Sequence, residues 1–348
     1  MLLLDFQSRF YQNPCSKVEQ KQSQSLPYPT HLILRPHVHG DVSLYSVDIN
    51  QLNTQTTPST LTAKPLNLQE PFLSILGSSN GLVLAKPTAI EEKRELVVYL
   101  VNPTTKKTLK LPVKRRTDTY GFGYDYSTDD YKVISLPRSD FDTEFVRVYS
   151  LRNNSWRNLR NPPNQLHDYC SPHSGVFFNN NLHFIVGGGH LRIAIAAFNL
   201  TDEEFHIIKF PKSIKFAYNS CVQLFALGEK LAAITCVWLP GHAFVNELWV
   251  MEEYGVRESW EKLCIFQIGD EVTMGMMKHY LNSIVPDYEF YAKVGNQDML
   301  VGNSDVDKIY TYNIDERRCT SVSFEGCHED FIVIGTYVES LESPERFC

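Results

Sequence analysis

Residues 96–112 read LVVYLVNPTTKKTLKLP, and residues 145–159 read FVRVYSLRNNSWRNL. Each is an apolar strand carrying an aromatic residue, then a polar turn, then a second short strand. The unit recurs as VSLYSVDIN from Val42, IAAFNLTDEEFHIIKFP from Ile195, ELWVMEEYGVRESWEKL from Glu247 and KIYTYNIDERRCTSVSF from Lys308. Its anchors are Tyr45, Tyr99, Tyr149, Phe198, Val250 and Tyr312, spaced 49 to 62 residues apart. The fifth copy departs from the pattern, with Val at the anchor and Trp249 beside it.

Ahead of most copies stands a strand–turn–strand: ILGSSNGLVLAKP, YGFGYDYSTDDYKVISLP, GVFFNNNLHFIVG, VQLFALGEKLAAITCV and YAKVGNQDMLVGN. The tips Ser79-Asn80-Gly81, Asn179-Asn180-Asn181, Gly228-Glu229-Lys230 and Gly295-Asn296-Gln297-Asp298 hold residues that accept positive φ, as tight hairpins require. Each repeat is therefore four short antiparallel strands, and four strands at a period near fifty define a propeller blade. A lone four-stranded sheet cannot bury both faces, whereas radial stacking lets neighbours cover one another. Apolar residues alternate or run in short bursts, so the 3.6-residue helical period is missing. The expected fold is all-β: a single propeller of six four-stranded blades over residues 31–348. FIVIGTYVESL is expected to join HLILR and VSLYSVD in one sheet and close the ring. Residues 1–30, with the Gln- and Ser-rich EQKQSQS, read as a linker or disordered segment.

Composition narrows the function. Of 348 residues, 43% are hydrophobic, 21% charged and 12% aromatic, which suits a folded strand-rich chain. A net charge of −7 argues against nucleic acid, which demands clustered Lys and Arg. Membrane insertion is not expected, because no run of 18 apolar residues occurs. The opening apolar run, Met1 to Leu4, is too short for a signal-peptide core, so the sequons at Asn153 and Asn199 are expected to stay unglycosylated. Eight cysteines (Cys15, Cys170, Cys221, Cys236, Cys264, Cys319, Cys327, Cys348) form no C-x-x-C pair, as suits reduced thiols in the cytoplasm or nucleus. No four-ligand zinc pattern can be assembled from them.

Catalytic signatures dissolve on inspection. Gly77-Ser78-Ser79-Asn80-Gly81 matches G-x-S-x-G, but a strand follows where a nucleophile elbow needs a helix, so it reads as a hairpin. Gly187-Gly188-Gly189 lacks the Lys-Ser/Thr of a phosphate loop. Asp125, Ser127 and Asp129 open like a calcium loop, yet Asp130 stands where Gly is needed and Leu136 where Glu is needed; a solvated hairpin tip is expected. His183 reads as a satisfied strand residue, and His167, His173 and His190 lack a partner at triad spacing. Trp156 and Trp260 hold equivalent places in their repeats and are expected to pack between blades. No catalytic, cofactor-binding or metal-binding residue is expected, and no cofactor.

The segments LGSSNGLVLA, VNPTTKKTLKLP, YGFGYDYSTDDYKVI, VRVYSLRNNSWRNL, GVFFNNNLHFI, AAFNLTDEEFHIIKFP and ELWVMEEYGVRESWEKL resemble, in order and spacing, the kelch-like F-box-associated domain of plant F-box proteins. The resemblance runs from about Leu32 to Leu341. It implies a substrate-recognition subunit of an SCF-type, cullin-based ubiquitin ligase, acting in ubiquitin-dependent degradation, whose propeller captures a target protein. In that family a preceding F-box binds a Skp-type adaptor. Residues 1–30 show no leucine-rich helical pattern of that kind, so adaptor and cullin follow only if an adaptor-binding segment exists. Two alternatives stand beside this reading: a stand-alone interaction protein that competes for targets, and a propeller-fold enzyme with carboxylates or metal ligands converging on the axis.

A target is expected on one ring face, where loops after the second strand meet loops that lead to the next blade. These are KPTAIEEKRE, PRSDFDTE, GGGHLR, WLPGHAFVNE, PVKRRTDT, NPPNQLHDYCSPH and the segment after Phe266. Exposed Trp and Arg make the strongest interface anchors, which nominates Arg115, Arg116, Arg138, Trp238 and His242 as partner-binding residues.

Overall fold

The computed structural model describes residues 30–36, 43–53, 59–68, 72–87, 97–112, 119–137, 146–159, 174–187, 193–214, 222–239, 243–266, 288–294, 298–303, 308–314, 316, 318–327 and 331–347. They form 24 strands. Four sheets have four strands each: β4 (Phe72–Ser79), β5 (Leu82–Pro87), β6 (Val97–Asn102) and β7 (Lys107–Pro112); β8 (Thr119–Asp125), β9 (Asp130–Leu136), β10 (Arg147–Ser150) and β11 (Ser155–Asn158); β12 (Val176–Phe178), β13 (Asn181–Val186), β14 (Ala194–Asn199) and β15 (Phe205–Lys209); β16 (Val222–Leu227), β17 (Lys230–Leu239), β18 (Ala243–Met251) and β19 (Trp260–Phe266). The fifth sheet has eight. It runs through β20 (Tyr288–Val294), β21 (Asp298–Asn303), β22 (Lys308–Asn313), β23 (Arg318–Glu325), β3 (Ser59–Pro65), β2 (Tyr45–Asp48), β1 (His31–Pro36) and β24 (Phe331–Tyr337), in that order.

The fold is a β-propeller, with one correction to its count. Six separate blades were expected; the structure has five, one of double width. The cause is a parallel pairing of β23 with β3, Val322 to Glu325 against Ser59 to Thr62, which fuses two four-stranded runs edge to edge. Thr60 Oγ1 and Ser323 Oγ lie 2.9 Å apart across that join, and Thr62 Oγ1 donates to Glu325 at 2.8 Å. The seam between chain-distant strands lies where the sequence suggested. β24 pairs antiparallel with β1, His31 opposite Tyr337 and Pro36 opposite Phe331, and β1 pairs with β2.

All six sequence anchors fall in corresponding strands: Tyr45 in β2, Tyr99 in β6, Tyr149 in β10, Phe198 in β14, Val250 in β18 and Tyr312 in β22. The inner strands β24, β4, β8, β12, β16 and β20 contact one another in that cyclic order. Apolar packing is divided accordingly. Each wedge of buried residues is shared by neighbouring runs: Ile33 and Tyr337 with Val83 and Val101, Leu84 and Leu100 with Phe122 and Tyr149, and Ile134 and Val148 with Leu182 and Phe198. The series continues with Ile195 and Phe210 against Leu231 and Trp260, Ile234 and Leu248 against Tyr312, and Leu300 and Ile309 against Leu32 and Leu61.

Near the axis the strands approach too closely for side chains. Gly121 in β8 bridges Gly175, whose N–H donates to the Tyr120 carbonyl at 2.8 Å. The Phe184 ring lies against both: an added Cβ would stand 2.7 Å from its Cζ at Gly121 and 2.4 Å from its Cε1 at Gly175. Overpacking a tight core costs about 1–3 kcal/mol. Gly175→Ala is therefore expected to lower unfolding stability by that amount in a urea titration.

Candidate protein-binding face

Successive connections leave opposite ends of the sheets. At one end most are tight turns, and the residues with positive φ include Asn80 (51°), Gly81 (81°), Lys106 (61°), Asp129 (52°), Asn154 (47°), Asn179 (48°), Asn180 (58°) and Gly228 (66°). The G-x-S-x-G pattern is one of these hairpins: Ser79 ends β4, Asn80-Gly81 turns, and Leu82 begins β5. The tip at 295–297 lies outside the described residues, and Asp298 begins β21.

The connections expected to meet a target join the opposite ends of the described strands in sequence. They include residues 88–96, 113–118, 138–145, 160–173, 188–192, 240–242 and 267–287, all outside the described residues. Arg115, Arg116, Arg138 and His242 therefore lie outside them too. Trp238 is in β17, near the strand's end, and its side chain is likewise outside the description. His167, His173, His190 and most of the Gly187–Gly189 run share that position; Gly187 itself has φ 83°.

Beneath the tight-turn end lies a polar network that the sequence reading missed. The sequence places Asp125 in a solvated tip, but its side chain is fully buried. Its carboxylate accepts from Ser127 Oγ (2.7 Å), Thr128 Oγ1 (2.6 Å), Thr201 Oγ1 (2.9 Å) and Lys132 Nζ (2.9 Å). Burial pushes the Asp125 pKa up, but the bonds from Thr128, Ser127, Lys132 and Thr201 outweigh it and hold the carboxyl well below the usual range. Lys132 also donates to the Leu200 carbonyl (2.5 Å) and Glu203 Oε1 (3.0 Å), and Arg157 pairs with Glu203. Thr201, Glu203 and Leu200 lie in the turn between β14 and β15 of the next sheet, so this network joins two blades.

Other polar contacts cross blades at neighbouring joints. His183 is buried; its Nδ1 is 3.1 Å from the Val176 carbonyl and its Nε2 2.7 Å from the Tyr254 hydroxyl of the next sheet. A carbonyl can only accept, so Nδ1 carries the proton and Tyr254 donates to Nε2. Burial pushes the His183 pKa down to about 4, against a small rise from its bond to Val176. His183 is thus the satisfied strand residue that was expected. The tryptophans also behave as expected. Trp156 Nε1 donates to the Pro112 carbonyl of the preceding sheet, and Trp260 lies 5.6 Å from the Phe210 ring, where Arg257 Nε also donates to the Phe210 carbonyl at 2.9 Å. Among the described residues, no group of three or more His, Cys, Asp or Glu is gathered as a metal would require, and no helix is long and apolar enough to cross a membrane.

The arrangement is that of a β-propeller in which a buried ion pair, Lys132 with Asp125, sits at a joint between blades. The F-box associated beta propeller domain matches residues 36–343, and the chain belongs to that family. It is 26% identical to the F-box protein CPR1 of Arabidopsis thaliana, over 90% of this chain and 77% of CPR1. It is 27% identical to the F-box/kelch-repeat protein At3g23880 of the same plant, over 56% of this chain but only 53% of that protein. Among solved structures, TolB from Acinetobacter baumannii aligns over 88% of this chain and 66% of its own, at 12% identity and a TM-score of 0.49.

The buried ammonium of Lys132 and the buried imidazole of His183 each leave a measurable mark on stability. Removing one partner of a buried ion pair leaves the other charge uncompensated, at a cost of about 3–5 kcal/mol. Lys132→Met is expected to lose that much in denaturant unfolding, and Lys132→Met with Asp125→Asn to regain part of it. The second concerns pH. Unfolded His183 takes up a proton near its ordinary pKa of 6.5, whereas the folded residue does so only near 4. Stability is thus fully present above pH 6.5 and falls as pH drops through this window, by about 3 kcal/mol in all. His183→Gln is expected to flatten the stability profile between those pH values, read by thermal unfolding at stepped pH.

Proposed function

We propose that this chain is a protein-binding, substrate-recognition module of an SCF-type ubiquitin ligase, with no catalysis of its own. The observation that carries the reading is the family match over residues 36–343. Relatives named as F-box proteins support it, as does the engagement of the buried Lys132 and Asp125 with each other. On this reading the target protein docks on the end of the ring where Arg115, Arg116, Arg138, Trp238 and His242 stand in sequence. The ligase is reached through a Skp-type adaptor and a cullin only if an adaptor-binding segment exists. The protein works in the cytoplasm or nucleus, where its thiols stay reduced.

The test is a pull-down in two arms. In the first, this chain and a relative carrying an F-box are each offered a Skp-type adaptor; retention by this chain supports direct ligase assembly. No retention, with the relative binding normally, leaves a target-binding propeller that needs another route to the ligase. In the second, alanine replaces all five nominated residues. Interface anchors of this kind carry most of the binding energy, so target capture is expected to fall by about tenfold or more; unchanged capture removes these residues from the interface.

A further inference from the structure

After β24 the chain stays on the ring. Residues 338–347 pass along the tight-turn end, over the β4–β7 sheet and onto the β8–β11 sheet. Asn102 Nδ2 donates to the main-chain carbonyls of Ser340 (3.0 Å) and Glu342 (2.7 Å). Its Oδ1 accepts from the N–H groups of Thr104 (2.8 Å) and Thr105 (3.0 Å) in its own turn. The buried amide is therefore fixed by one hairpin with its donor aimed at the passing segment. Gly81 supplies the floor: a Cβ there would stand 2.1 Å from Ser340 Oγ.

Farther along, Arg346 pairs with Asp129 (2.9 Å) and with Glu342 (3.2 Å). Phe347 packs against the wedge between the two sheets, and the Arg152 guanidinium lies 4.6 Å from its ring centroid. Leu341 between the gripped carbonyls is 87% exposed and adds nothing to the hold. Asn102 reads main-chain carbonyls, which any sequence offers; Arg346 and Phe347 set the register. These contacts tie β24, one side of the seam, to two sheets beyond it.

We propose that residues 340–347 are a latch: a peptide held in cis by the Asn102 amide and the Asp129 carboxylate, which keeps the seam between β24 and β1 shut. The test is amide hydrogen exchange on the full chain. Asn102→Asp keeps the acceptor that caps its own turn but replaces the donor with a second acceptor facing two carbonyls. Exchange in residues 338–347 is expected to rise about tenfold or more, and to rise also in Phe331–Tyr337. Arg346→Gln, an exposed change that cannot itself unfold the protein, is expected to give a smaller rise in both segments, and Leu341→Ala none. A rise confined to 338–347, with β24 unchanged in both variants, would show a passenger segment and overturn the latch. Unchanged exchange in 338–347 would overturn the grip itself.

Discussion

A four-stranded sheet with two apolar faces has no stable existence in water, and four blades and each half of the fused fifth are built as such runs. The structure rests on the antiparallel pairing of β24 with β1, which together with the β23–β3 join turns an open row of sheets into a ring in which each face is covered. Without it, the wedge that Ile33 and Tyr337 share with Val83 and Val101 would lose one side. The division of the core into wedges follows from this geometry, as does the need for glycine where β8 and Gly175 converge on the Phe184 ring.

Polar chemistry is spent in the same places. Lys132 is buried among the apolar residues of β9, a position that would be untenable alone. It is tolerated because Asp125, Glu203 and the Leu200 carbonyl surround the ammonium, and two of those three come from the next blade. The His183–Tyr254 bond does similar work one joint further round. Such groups specify which sheets are neighbours and in what register, which apolar packing alone leaves loose.

Much of the fold could be read from the chain because a blade repeats locally. Tyr99 and Tyr149 announce corresponding strands through their immediate neighbours, and turn residues such as Asn80-Gly81 declare their conformation alone. Pairings between distant residues could not be read so. The fusion of β23 with β3 sets Thr60 beside Ser323, 263 residues away, and no local pattern reports it. Asp125 misled for the same reason: its hairpin was recognisable, but Thr201, 76 residues on, helps to seal it from water. Lys132 left one usable sign, a lone cation inside the apolar strand DYKVISL. The candidate interface residues had only their loop placement and side-chain type to recommend them, since binding loops carry no period.

The seam also has a consequence in time. β1 leaves the ribosome about 300 residues before β24, and at translation rates of roughly 5–20 residues per second that is about 15–60 seconds. Through that interval Leu32 and Leu34, fully buried in the finished ring, have their neighbour on only one side of the strand. The growing chain carries a sticky edge that only its own distant future can cover. Its exposure to chaperones and to mispairing is set by the topology of the ring rather than by the stability of any blade.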